Sequence, residues 1–375
     1  MNRSRQSTLS EHLSARKVVL CLGSGGVGKT TTAAALGIAL AGRGERLVVL
    51  TIDPARRLAD ALGKGGDLSN EPVMVELPSP IDGDRADGGR GELWATMLDP
   101  AETFERIIRA EAADDAHAER ILTNRLFGNL TTSLSGTNEY MAAERLHQLY
   151  TDDRFDRVII DTPPSRHAFD FLDSPGRLTR FIDHRLYRSV FARRSRLLRP
   201  INAGTQVVMR LLGRLVGTTL VDDVVSFFFD FEGLDEGFRR RADEIERLLT
   251  GPDTGYVLVT APRNDRLQEA DWILGNLGRR QRVLDAVVVN RVMPIDLDAA
   301  DAAVQELDAA HRALAQNLNE LMTLAGQEAA VIDTIRGRVG ARLDQDEDAL
   351  VLVTLAEQLR PVRDIDGLSA LAALL

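Results

Sequence analysis

Cysteine is nearly absent: the chain of 375 residues carries one, Cys21. A lone thiol excludes an intrachain disulfide and any cysteine-held metal site within one chain. Its place in the apolar run Val18-Val19-Leu20-Cys21-Leu22 makes it a core residue. No run of about 18 apolar residues occurs, so no transmembrane helix is expected. The start of the chain, Met1 to Lys17, is polar and lacks the apolar centre of a secretory signal. Residues 1–16 therefore read as a flexible arm, and the cytoplasm is the expected compartment. An excess of positive charge is also missing. With 46 Lys and Arg against 56 Asp and Glu, the net charge is −10, which argues against nucleic acid or anionic membrane as a partner held by bulk electrostatics. No internal repeat of about 20–50 residues is found.

What is present starts with that same apolar run. It leads into Gly23-Ser24-Gly25-Gly26-Val27-Gly28-Lys29-Thr30 and then into an alanine- and leucine-rich helical segment, Thr31 to Ala41. Strand, glycine-rich loop and helix in the spacing G-x-x-x-x-G-K-T form a phosphate-binding loop. The glycines let successive backbone N–H groups point inward at a helix N-terminus, where the dipole favours an anion. Gly25, Gly26, Val27, Gly28, Lys29, Thr30 and Thr31 are thus the expected nucleotide contacts. Lys29 reaches the β- and γ-phosphates and the Thr30 hydroxyl holds Mg²⁺.

Further apolar runs follow at Leu47–Ile52, Arg157–Ile160, Tyr256–Thr260, Ala286–Arg291 and Ala349–Leu355. Continuous apolar runs mark strands covered on both faces, as in parallel sheets. The fold class expected is α/β, a P-loop NTPase with a mostly parallel central sheet flanked by helices, plus a helical insertion. Ligands bind beyond the carboxyl ends of such strands, which places Asp53, Asp161 and Asn290 at the site. Asp161 closes its strand as a Walker B carboxylate, on Mg²⁺ directly or through water. The Asn290 amide has the donor and acceptor that an adenine edge requires.

The expected division is an ATPase core at 17–171 and 251–375 with a helical insertion at 172–250. Residues 79–91, rich in Gly and Asp, read as a surface loop. The insertion carries an arginine-rich piece from Arg185 to Arg199 and Phe227, Phe228, Phe229 and Phe231. These phenylalanines serve either as the core of the insertion or as an amphipathic face for a hydrophobic partner. Val304, Leu307, His311, Leu314, Leu318 and Leu321 recur at spacings of three and four, which predicts a long exposed helix or helical hairpin near 301–326, with His311 a partly buried contact.

Taken together, Gly23 to Thr31, Thr51-Ile52-Asp53-Pro54-Ala55, Asp161-Thr162-Pro163-Pro164-Ser165 and Val289-Asn290-Arg291 resemble the ArsA family of ATPases in order and spacing. That family includes arsenical-pump-driving ATPases and targeting factors for tail-anchored membrane proteins. Gly136 to Met141 and Phe171-Leu172-Asp173 also find counterparts in its bacterial members. The resemblance implies ATP and Mg²⁺ as cofactors, Asp53 as the switch carboxylate that orients the attacking water, and Asp161 as the residue linked to Mg²⁺. It further implies Asn290 and Arg291 at the base, flanked by the loop near Leu355 to Arg360. Its implied function is ATP hydrolysis coupled to rearrangement of a dimer that acts on a protein or membrane-associated partner.

The chain departs from that family in three ways. The usual loop carries a lysine that reaches a partner's phosphates, and here Ser24 stands at its position. A serine cannot supply that charge, which compares with an arginine finger worth about 10³-fold or more in rate. Either hydrolysis is slow, or another cation substitutes, or an ArsA-like paralogue bearing the lysine completes a hetero-oligomer in which this chain is a weakly hydrolysing subunit. Second, the family's zinc- and arsenite-binding cysteines are absent. Third, the chain has one P-loop, so a two-site machine needs two chains. A partition or division-site ATPase is a further alternative, but it calls for a basic patch or a basic terminal helix, and Asp364 to Leu371 supplies neither; a small-molecule kinase is a weaker one, with no second substrate-binding motif.

Overall fold

The computed structural model describes residues 8–53, 57–63, 68–78, 91–124, 136–183, 233–306, 311–343, 350–358 and 360–375. The loop at 79–90, the arginine-rich piece and the four phenylalanines at 227–231 lie outside the described residues.

The apolar runs become strands β1 (Val18–Gly23), β2 (Arg46–Thr51), β5 (Arg157–Asp161), β6 (Thr254–Thr260), β7 (Ala286–Val292) and β8 (Val351–Ala356). They join an eight-stranded sheet of order β3-β4-β2-β5-β1-β6-β7-β8. Every pairing is parallel except that of the edge strand β3 (Val73–Val75) with β4 (Glu92–Met97). Neither β3 nor β4 is marked by an apolar run. Interior strands read as unbroken apolar runs because both faces are covered. Val19, Cys21, Val49 and Ile159 join a core completed by α2 (Lys29–Ala41) and the C-terminal α12 (Ile365–Ala372). Helix α9 (Asn264–Arg279) packs on β1 and β6. Register then fixes the site, because Asp161 pairs with Cys21 on one side and with Thr51 on the other, bringing three strand tips level.

The chain divides into two compact units, one of residues 1–97, 149–169 and 250–375, which holds the sheet, and one of residues 98–148 and 170–249. The second unit contains α4 (Pro100–Glu111), α5 (Asp115–Leu122), most of α6 (Thr137–Tyr150) and of α7 (Ser165–Asp183), and α8 (Asp235–Thr250). Phe104 and Tyr140 close on Phe238, and Arg241 is held between Glu111 and the fully buried Glu144.

Two expectations are corrected. Residues 8–15 are not a flexible arm. A capping box, with Thr8 Oγ1 accepting from Glu11 N and Glu11 Oε2 accepting from Thr8 N, starts the short α1 (Leu9–His12). Leu9 and Leu13 are fully buried, Ser10 N donates to Leu375 O at 3.0 Å, and the buried Arg157 donates to Leu13 O and Ser14 O. The bounds of the long helix are also corrected. The long helix, α11 (Arg312–Leu343), starts later and runs further than 301–326, after the separate α10 (Leu297–Glu306). As expected of an exposed helix, Leu314 and Leu321 are 55% and 43% exposed and its buried residues begin only at Ala325, while His311, just before it, is exposed rather than a partly buried contact. Within its unit α11 contacts α10, α9 and β7.

Leu13→Ala should cost about 2–4 kcal/mol of stability, the range for truncating a buried leucine, read as a lowered urea midpoint. An unchanged midpoint would mean that the N-terminal segment does not contribute to the core.

Candidate active site

The phosphate loop leaves β1 at Gly23, where a Cβ would stand 2.2 Å from Val259 O, so the chain passes its neighbour strand with no room for a side chain. Gly26 (φ +78°) and Gly28 (φ +96°) take left-handed backbone that glycine adopts without strain. Gly28 is also the N-cap of α2 and offers no side chain to its first-turn N–H groups, which stay available for an anion. A Cβ on Gly28 would lie 2.2 Å from Asn290 Nδ2. That amide donates to Val27 O at 2.9 Å and its Oδ1 accepts from Arg291 N at 2.9 Å. Asn290 therefore braces the phosphate loop from β7, leaving one N–H and one lone pair for a base. Arg291 beside it holds φ +62°, next to a bulge in β7.

Lys29, 7% exposed, donates Nζ–H to Ser24 O at 2.9 Å. Burial lowers its pKa, opposed by the charges of Asp161 and Asp53. Asp161, 1% exposed, is the junction of the site: its Oδ2 accepts from Thr30 Oγ1 at 2.8 Å and from Thr51 Oγ1 at 3.0 Å. Burial raises its pKa from 3.8 to about 6, against the lowering effect of those two hydroxyls. Its Oδ1 is buried without a hydrogen-bond partner. An orphaned carboxylate oxygen beside the P-loop threonine is the donor set that a hard divalent cation needs, provided phosphate oxygens and water complete it. Among the described residues no cluster of His, Cys, Asp or Glu forms a protein-only metal site. Thr30 and Asp161 would hold Mg²⁺, consistent with its preference for few carboxylates and a phosphate ligand.

These groups open onto a cleft of about 730 Å³ lined by Gly26, Gly28, Lys29, Thr30, Thr31, Asp53 and Asp161. Gly25, Val27 and Asn290 do not line it, and Val27 is buried with its carbonyl turned to Asn290. The cleft also takes in Pro164 of the quoted motif and residues that sequence reasoning passed over: Arg57, Asp60, Val362 and Arg363. Arg57 follows Asp53 by four positions and Arg363 follows the expected base-flanking loop, which were the available signals. Ser24 is buried, and its hydroxyl accepts from Arg266 Nη1 at 3.4 Å.

A family model described as "Anion-transporting ATPase" matches residues 16–324, most of the chain. The chain belongs to the ArsA family. The family's reaction is ATP hydrolysis, so nucleotide binding at this cleft agrees with it. This ArsA-family chain is 23% identical over 281 residues to "ATPase ASNA1 homolog" of Cryptosporidium parvum, covering 74% of the chain and 66% of that protein. It is 24% identical over 306 residues to "ATPase ARSA1" of Chlamydomonas reinhardtii, covering 74% of the chain and 35% of that protein. With "ATPase GET3" of Kluyveromyces lactis the figures are 24% over 293 residues, covering 75% and 73%. The matched stretch thus spans less than two thirds of the first two relatives. The family match ends at 324, yet β8 and α12 beyond it complete the sheet and the core.

A buried acid with a raised pKa destabilises the fold once ionised. That penalty is absent below about pH 4, grows as pH rises towards 6 and is constant above. Asp161→Asn should therefore raise the Tm of the nucleotide-free chain at pH 8 and leave it unchanged near pH 4. A lower Tm for the variant at pH 8 would show that the carboxylate is stabilising there.

Proposed function

We propose that this chain is a Mg²⁺-dependent ATPase whose nucleotide cycle rearranges a dimer and acts on a protein or membrane-associated partner. The observation that carries the reading is the orphaned Asp161 Oδ1 beside Thr30, at the phosphate end of a cleft that also holds Lys29 and Asp53. Bound Mg²⁺ would neutralise phosphate charge there. The remaining steps belong to the chain. Loop N–H groups and Lys29 fix the β- and γ-phosphates, Asp53 accepts a hydrogen bond from the attacking water and aligns it, and Asn290 keeps the loop in its anion-binding shape. Asn290's free N–H and lone pair, with Arg291, are the adenine contacts in this reading.

The dimer and its client come from the ArsA-type resemblance, with the helical unit as the part that handles the client. No described helix is long and apolar enough to cross a membrane, so contact with a membrane would be peripheral or through a partner, in the cytoplasm. Ser24 favours one second reading, a weakly hydrolysing subunit completed by an ArsA-like paralogue. The positioning-ATPase alternative loses support, since α12 has no basic residue and buries Leu368 and Leu371 in the core.

Lys29→Ala should weaken ATP binding at least tenfold. Asp53→Asn should keep ATP affinity within about threefold and lower kcat about 10²-fold or more, the scale for a water-orienting group. Parental turnover in Asp53→Asn would overturn the mechanism, and brisk turnover by the purified parent alone would remove the paralogue-completed reading. A pull-down with ATP-loaded Asp53→Asn would identify the client.

A further inference from the structure

The cleft holds four cations: Lys29 from the loop, and Arg57, Arg291 and Arg363. None of the three guanidiniums has a carboxylate partner among the described residues, although the chain carries ten more acidic than basic groups (56 − 46). Cations left unpaired inside a concave site suit a polyphosphate better than a structural role.

Their positions in the sheet separate them. Counting along β2-β5-β1-β6-β7, the tips of β2 and β7 are four strand steps apart, roughly 19 Å at the usual strand spacing. Asp161, Thr51 and Thr30 meet at the β1, β5 and β2 tips and would hold the cation and the terminal phosphate there. Arg291 belongs to β7 and Arg363 follows β8, so both attend the nucleoside end. Arg57 opens α3 (Arg57–Ala61), which leaves the β2 tip just beyond Asp53. It is exposed, it faces the same cleft as Asp53 and Asp60, and its charge is felt at the Lys29 ammonium.

We propose that Arg57 is a catalytic residue: its guanidinium binds the γ-phosphate from within the same chain and supplies the transition-state charge that Ser24 cannot. This rests on the ATPase reading above and extends it. In the step concerned, a water oxygen forms a bond to the γ-phosphorus. The bond to the bridging oxygen breaks with its electron pair going to ADP, and the water's proton passes to a phosphate oxygen. Arg57 exchanges neither proton nor electrons. It donates N–H bonds to equatorial oxygens whose charge grows, where a planar guanidinium can bind two at once. Because the cation comes from the same chain, the rate per chain does not require a lysine-bearing partner.

The test compares the parent, Arg57→Ala, Arg57→Lys and Arg363→Ala for steady-state hydrolysis and for affinity towards Mg-ADP with and without aluminium fluoride. Arg57→Ala should lower kcat about 10³-fold or more with KM changed less than about threefold. It should weaken the ADP–aluminium fluoride complex at least tenfold more than ADP itself. Arg57→Lys should recover part of both, and Arg363→Ala should raise KM with kcat nearly kept. Parental kcat in Arg57→Ala, or equal weakening of ADP and the fluoride complex, would overturn the proposal. A parent that hydrolyses no ATP would count against the ATPase reading, while the fluoride affinities would still decide the role of Arg57.

Discussion

One carboxylate oxygen ties the nucleotide site together. Asp161 Oδ2 accepts from Thr30 on α2 and from Thr51 on β2, while the residue itself ends β5, so three elements meet on a single acceptor. The arrangement is costly, since the carboxylate is buried and its other oxygen is left without a partner. In the proposed reading that cost marks a site built for a ligand: desolvation spent on an unpaired oxygen would be recovered when a cation arrives. The nearby phosphate loop, the cleft and Asp53 all stand at strand tips that the parallel register brings level.

Much of this could be read from the chain itself, because the physics is local. Interior parallel strands are apolar at every position, and a loop that wraps phosphate needs glycine at fixed offsets, so β1, β2, β5, β6, β7 and the loop were legible. The misses have physical causes too. β4 mixes Glu92, Trp94 and Thr96 with apolar residues beside a three-residue edge strand whose Met74 is half exposed, and such strands leave no run. The first helix is only four residues long, and its one signal was the Thr8 to Glu11 capping box. The stripe was legible as a long exposed helix but not in its bounds, since α11 runs from Arg312 to Leu343 and periodicity gives a face and not where the helix ends.

The site residues divide along the same line. Thr30 and Asp161 were legible because their chemistry follows from motif and strand end. Asn290 was legible as a strand-tip amide but not as a brace, since its hydrogen bond to Val27 O joins positions 263 residues apart. Arg57 carried no motif of its own, and only the fold turns a charge near Asp53 into a charge on the cleft wall.

The brace between Asn290 and the phosphate loop also has a consequence in time. The loop is made early in synthesis and its support late. At the usual elongation rate those 263 residues take roughly 15–50 s to follow. β1 meanwhile waits for both of its neighbours, β5 and β6, which are encoded far downstream. A nascent chain thus carries the signature of a nucleotide-binding protein long before it can hold a nucleotide. Capture of ATP becomes a late event, one that reports that the C-terminal third has arrived and docked.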